Sequence, residues 1–194
     1  AKNEWLTGNF KGAVDFYSKC YRIDKNNKDY SFVLGECYMF IGMQKESLRY
    51  YKEYDERLKA SGELRLGCMH RIGYAYWKNG FKKESEYYFG EQKKQCEESI
   101  KKNLAYANMT LGAFYDLAGV YALKGEKEEA LKNLREWSKI PVCPFWRLTL
   151  FKNDPLFDNL RNEPDFLKIV RDMESKYQAE HERVRKWLAE QGTL

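Results

Sequence analysis

Three segments of the chain carry one pattern of apolar, small and tyrosine residues: Leu34-Gly35-Glu36-Cys37-Tyr38, Ile72-Gly73-Tyr74-Ala75-Tyr76 and Leu117-Ala118-Gly119-Val120-Tyr121. Nine residues after each tyrosine stands another small residue: Ser47, Ser85 or Ala130. Four residues further on stands a large apolar one: Tyr51, Phe89 or Leu134. Self-similarity at this spacing marks stacked helical hairpins, units that bury their apolar faces only against one another. The pattern therefore restricts the chain to an all-α array. Such arrays commonly serve as binding surfaces, so the functional question becomes one of partner rather than reaction.

The turns follow the same register. Gly8, Gly42, Gly80 and Gly125 each sit where a first helix ends and a second begins, in the place of a left-handed helix stop. Only residues 1–7 precede the first turn, so the leading hairpin is truncated, and an upstream segment is expected. The glycine-to-glycine distance grows from 34 to 38 to 45 residues. Eleven added residues, at about 1.5 Å each, predict helices lengthened by about three turns in total. The apolar run Tyr106–Leu123 contains Asp116 and fits the repeat, so it reads as a buried first helix rather than a membrane span.

The hairpins resemble tetratricopeptide repeats over residues 1 to about 139. The proline usual after the second helix is absent, with Lys25 in its place in the first copy, and the usual tryptophan is replaced by Ser31, Met69 and Phe114. The resemblance implies a right-handed α-α superhelix of about four hairpins, whose first helices line a concave face.

Beyond this array the repeat stops, and residues 140–194 read as a capping segment. Pro141 and Pro144 break any helix, and Asp154-Pro155 and Glu163-Pro164 mark new helix starts. The stretch from Asp154 to Phe166 resembles the "DPxFDxLRxxPxF" closing pattern that follows such arrays in bacterial regulatory and signalling proteins. That resemblance implies a bacterial protein with a larger multidomain parent. The last helix is expected from about Asp165 to Gln191, stopped by Gly192. Phe166, Ile169, Val170, Met173 and Tyr177 form its packing stripe. Val184, Trp187 and Leu188 form a second stripe after a charged gap, suited either to folding back or to self-association as a homodimer.

Little in the chain carries chemistry. It holds 5 cysteines without a Cys-x-x-Cys pair, which favours a reducing compartment, so a cytoplasmic location is expected. Cys143, between two prolines, reads as a structural thiol. His70 and His181 belong to no metal-spaced set, and no phosphate loop or nucleophile elbow is present. No enzyme activity, cofactor or metal is expected. Net charge is +5, but Lys82-Lys83, Lys93-Lys94 and Lys101-Lys102 are interleaved with glutamates, so no nucleic-acid partner is expected. Asn108-Met109-Thr110 fits a glycosylation acceptor only by sequence.

The expected partner is a protein or peptide. By the resemblance, the concave face carries Trp5, Phe32, Glu36, Met39, His70, Arg71, Tyr74, Trp77, Lys78 and Tyr115. Phe32 and Glu36 stand where carboxylate-clamping relatives hold lysine and asparagine, so capture of a chaperone tail is not expected. The aromatic anchors with Arg71 and Lys78 suit a peptide with apolar side chains and some negative charge. The alternative is a structural domain whose groove is filled by its own closing segment, with Phe145, Trp146 and Phe151 as plugs.

Overall fold

The computed structural model describes residues 2–63, 67–108, 111–139 and 144–192. Among them are ten α-helices and two 3-10 helices, and no strand. In order they are α1 (Lys2–Leu6), α2 (Phe10–Ile23), α3 (Lys28–Phe40), α4 (Gln44–Ser61), α5 (Met69–Lys78), α6 (Lys82–Lys101), a 3-10 turn (Ala105–Asn108), α7 (Ala113–Leu123), α8 (Lys127–Ser138), α9 (Phe145–Asn153), a second 3-10 helix (Pro155–Leu160) and α10 (Pro164–Glu190). The protein is all-α.

The four turn glycines all lie at positive φ, between 77° and 85°. Each turn closes with the same pair of backbone hydrogen bonds. The amide after the glycine donates five residues back: Asn9 to Glu4, Met43 to Tyr38, Phe81 to Tyr76 and Glu126 to Tyr121. These bonds satisfy carbonyls that a helix end would otherwise orphan. Connections this short force each pair into an antiparallel hairpin. α3 packs most extensively on α4, α5 on α6 and α7 on α8.

The small positions let the paired helices touch. A Cβ on Gly35 would lie 2.8 Å from the Tyr51 ring, and one on Gly73 would lie 2.7 Å from Phe89. These rings are the large residues of the same repeats. Ser47, Ser85 and Ala130 are buried, and the Ser47 hydroxyl donates to the Gly35 carbonyl at 2.9 Å. A Gly73→Ala chain should lose about 1–3 kcal/mol through overpacking, outweighing a helix-propensity gain of up to about 1 kcal/mol. Gly90, on the exposed face of α6, has open space at its Cβ. Gly90→Ala should gain about 0.5–1 kcal/mol. Urea denaturation of the two variants reads the opposite signs.

The stretched period is only partly absorbed by longer helices. α4 and α6 have 18 and 20 residues against 14 in α2, but α5 and α7 have only 10 and 11. The second helices end early because Gly62 and Asn103 adopt left-handed φ of 67° and 48°. The remaining residues form connections, one of them carrying the 3-10 turn Ala105–Asn108. Ile23, on the apolar stripe of α2, lies exposed beyond the packing.

The break between residues 139 and 140 divides repeat from non-repeat sequence without dividing the core. One buried cluster joins Met39, Tyr74, Tyr115 and Trp137 to Phe151, Leu156, Phe157 and Leu160, and on to Phe166, Ile169 and Met173 of α10. A second, Tyr51, Tyr54, Ile72 and Tyr88 among its members, fills the interface of α4, α5 and α6. Cys143 and residues 109 and 110 of the glycosylation-like triplet lie outside the described residues.

Candidate functional site: the closing segment and its anchor

Asp154 is the pivot of this site. Its carboxylate Oδ1 accepts the Leu156 amide at 3.1 Å, capping the second 3-10 helix. Its Oδ2 accepts from Arg71 Nη2 at 3.0 Å and from the Tyr115 hydroxyl at 2.8 Å. Residues of α5, α7 and the closing segment thus meet at one fully buried oxygen. Arg71 also pairs through Nε with Glu36 of α3, 3.2 Å away. Two carboxylates hold its guanidinium charged, against the opposing cost of burial.

Apolar side chains fill the space around this anchor. Leu156 lies against Gly119, where an added Cβ would sit 3.1 Å from its Cδ1. Phe151 and Phe157 pack edge-on to Tyr115, with ring centroids 6.4 and 5.2 Å away. α9 reaches back to α1, and Thr149 lies against Gly8 of the first turn. The closing segment therefore packs on α1, α5 and α7, reaching from the last hairpin to the first. Of the three aromatic plugs expected, only Phe151 is buried; Phe145 is about half exposed and Trp146 is intermediate. The phase of α9 explains this: Arg147, Leu148 and Phe151 share the inward face.

The ten expected groove residues separate into groups. Glu36, Met39, His70, Arg71, Tyr74 and Tyr115 are buried and not presented to solvent. Trp5, Phe32, Glu36 and Arg71 line one cavity of about 230 Å³, together with Gly67, Cys68, Leu111 and Asp116. Trp77 and Lys78 line a smaller one of about 90 Å³, with Ala122, Leu123 and part of the closing segment. The segment thus leaves an opening near the start of α5 and another near its end. Lys78 covers the Trp77 ring at 5.0 Å from its centroid, a cation–π contact at an exposed site.

His70 belongs to a buried polar network joining the third and fourth hairpins. Its Nδ1 lies 3.2 Å from Gln92 Oε1 and its Nε2 lies 3.5 Å from Asp116 Oδ1. Gln92 donates to the Tyr106 hydroxyl at 2.9 Å, and Tyr106 donates to Asp116. Burial, with Arg71 adding to it, pulls the imidazole pKa down to about 3. Burial pushes the Asp116 carboxyl up to about 8, against the Tyr106 hydrogen bond. Burial thus favours the neutral form of both groups. Among the described residues no group of three His, Cys, Asp or Glu side chains is arranged to hold a metal ion. No helix there is long and apolar enough to cross a membrane.

The sequence marks Asp154 only as a helix start and Asp116 only as a charge within an apolar run, and it gives Arg147 no role. Asp154 was legible as a helix start, since aspartate before proline is a cap signal. Arg147 is fully buried, donating to the Trp137 carbonyl at 2.6 Å with its guanidinium 4.0 Å above the Trp137 ring.

At the far end, α10 leaves the body. Phe166, Ile169 and Met173 are buried, and Tyr177 packs on Phe145 with ring centroids 5.7 Å apart. Residues 178–187 are all exposed, through every face of the helix. Val184 and Trp187 are 39% and 55% exposed, and Leu188 is intermediate.

No protein-family model, curated protein or solved structure matches the chain.

Proposed function

We propose that the protein is a non-enzymatic scaffold of the tetratricopeptide-like type, with about four stacked hairpins, which fills its own concave face and makes its protein contacts through the projecting end of α10. The four turns with identical hydrogen bonding support the repeat reading. The observation that carries the self-filled groove is the shared Asp154 oxygen between Arg71 and Tyr115. Capture of a peptide along the whole groove would first have to expel Asp154, Leu156 and Phe157, exposing a buried guanidinium. Contact through the exposed residues 178–187 of α10 displaces no buried side chain. Val184, Trp187 and Leu188 lie at helical spacing on one stripe, and a tryptophan at the centre of such a patch is a frequent binding hot spot.

A second copy of the chain is the partner this reading expects. Light scattering should give twice the chain mass at high protein concentration, and Trp187→Glu should return the single-chain mass with an unchanged circular dichroism spectrum. A wild-type chain that stays monomeric at every concentration removes self-association from the reading.

A further inference from the structure

The hydrogen bonds around His70 fix the place of a proton. Its ring Nδ1 and its backbone amide both face Gln92 Oε1, at 3.2 and 3.3 Å. A backbone N–H can only donate, so the carbonyl oxygen of the Gln92 amide stands there and not its NH2. That oxygen can only accept, so Nδ1 carries the hydrogen. The Gln92 NH2 turns the other way and donates to the Tyr106 hydroxyl at 2.9 Å, and Tyr106 donates to Asp116 Oδ2. In a neutral imidazole protonated at Nδ1, Nε2 is an acceptor. It faces Asp116 Oδ1 at 3.5 Å and has no hydrogen-bond donor among the described residues.

An ionised Asp116 would therefore set two acceptors against each other inside the core, where an unsatisfied polar group is costly. One proton between Nε2 and Oδ1 removes the conflict. A second would leave a buried imidazolium beside a neutral acid, with no charge to match it. The titratable groups facing the carboxyl besides His70 are Arg71 of α5, Cys96 of α6, Tyr106 of the first 3-10 turn, Tyr115 of α7, Glu36 of α3 and Asp154 of the closing segment. Arg71 is the one permanent cation of this group, and it already pairs with Glu36 at 3.2 Å and Asp154 at 3.0 Å. No positive charge in the group is left over to hold Asp116 ionised.

We propose that His70 and Asp116 form a one-proton latch between the third and fourth hairpins, closed while a single proton is shared between Nε2 and Oδ1 and loosened when mild alkali removes it. The latch rests on none of the contacts of α10, so it stands or falls separately from the proposed self-association. The direction of the pH response follows from linkage. The Asp116 carboxyl is raised in the folded chain, so its contribution is full below its ordinary value near 3.8 and is lost as pH rises through about 8. The His70 imidazole is lowered, so its contribution is full above its ordinary value near 6.5 and is lost as pH falls through about 3. Between these ordinary values the folded and unfolded chains each hold one proton on the pair, and the two trends offset. Above about pH 6.5 only the folded chain holds it, and stability falls.

The test is urea denaturation of the whole chain from about pH 6.5 to 8, wild type beside Asp116→Asn. The asparagine NH2 donates to Nε2 at every pH, and its oxygen still accepts from Tyr106. The ratio of the wild-type unfolding constant to that of the variant should rise about tenfold over this range. A ratio that stays level overturns the proposal. Should the variant fail to fold, two resonances of the wild-type chain decide. At about pH 6 the His70 ring nitrogens should report a neutral ring with its hydrogen on Nδ1, and the Asp116 carboxyl carbon should titrate only above about pH 6.5. A charged ring, a hydrogen on Nε2, or a carboxyl that titrates near pH 4 overturns it.

Discussion

Replacing Asp154 by alanine should destabilise the protein by about 3–5 kcal/mol, the scale for removing one partner of a buried ion pair. For a chain of this length that corresponds to a fall of roughly 6–20 °C in melting temperature. The size of the effect comes from what is left behind. Of its two carboxylate partners among the described residues Arg71 keeps Glu36, the Tyr115 hydroxyl loses its acceptor, and the Leu156 amide loses its cap. All three groups are buried, so water cannot take over without opening the core. Asp154→Asn should cost less, because the amide oxygen still caps Leu156, although its NH2 then faces Arg71 and cannot accept from it. Thermal or urea denaturation of the two variants gives the order: wild type, then asparagine, then alanine.

The second large effect separates two phenylalanines of the closing segment. Phe151→Ala should cost about 3–5 kcal/mol, as for other fully buried aromatic side chains. Its ring sits at the junction of α7, α8, the second 3-10 helix and α10, against Tyr115, Trp137, Phe157 and Phe166. Phe145→Ala should cost about 1 kcal/mol or less, since that ring is about half exposed and, among the described residues, packs with Tyr177 alone of the aromatics. Equal losses in the two variants would mean that α9 presents a different face to the array.

The hairpins were legible because their signals are local. A glycine at a fixed place after a tyrosine defines a turn, and a small residue opposite a large ring defines a close helix approach. Gly35 with Tyr51 and Gly73 with Phe89 could be paired from spacing before any coordinates. The start and stop of α10 were legible for the same reason, from Pro164 and Gly192.

The site was harder to read because its contacts are not local. Arg71 and Asp154 lie 83 residues apart, and nothing in either neighbourhood specifies the other. The sequence offered a closing segment rich in aromatics, which made Phe145, Trp146 and Phe151 equivalent candidates. What separates them is the phase of a nine-residue helix after a proline break, and periodicity over so short a run is weak. The anchor is instead a carboxylate whose local role, capping a helix start, conceals its tertiary one. His70 and Asp116 are similar. Each reads singly as an ordinary polar residue, and only burial side by side between two hairpins gives them shifted protonation.

The central claim, that the closing segment is anchored on the helical array through Arg71 and Asp154, is tested most directly by a double-mutant cycle. Stabilities of Arg71→Met, Asp154→Asn and the double variant are measured against wild type by urea denaturation. Each single change leaves a buried charge without its opposite, whereas the double change removes both charges, so the double variant should be more stable than the sum of the singles by about 2–3 kcal/mol. Singles that add to within about 0.5 kcal/mol would mean the two residues do not meet, and would contradict the account.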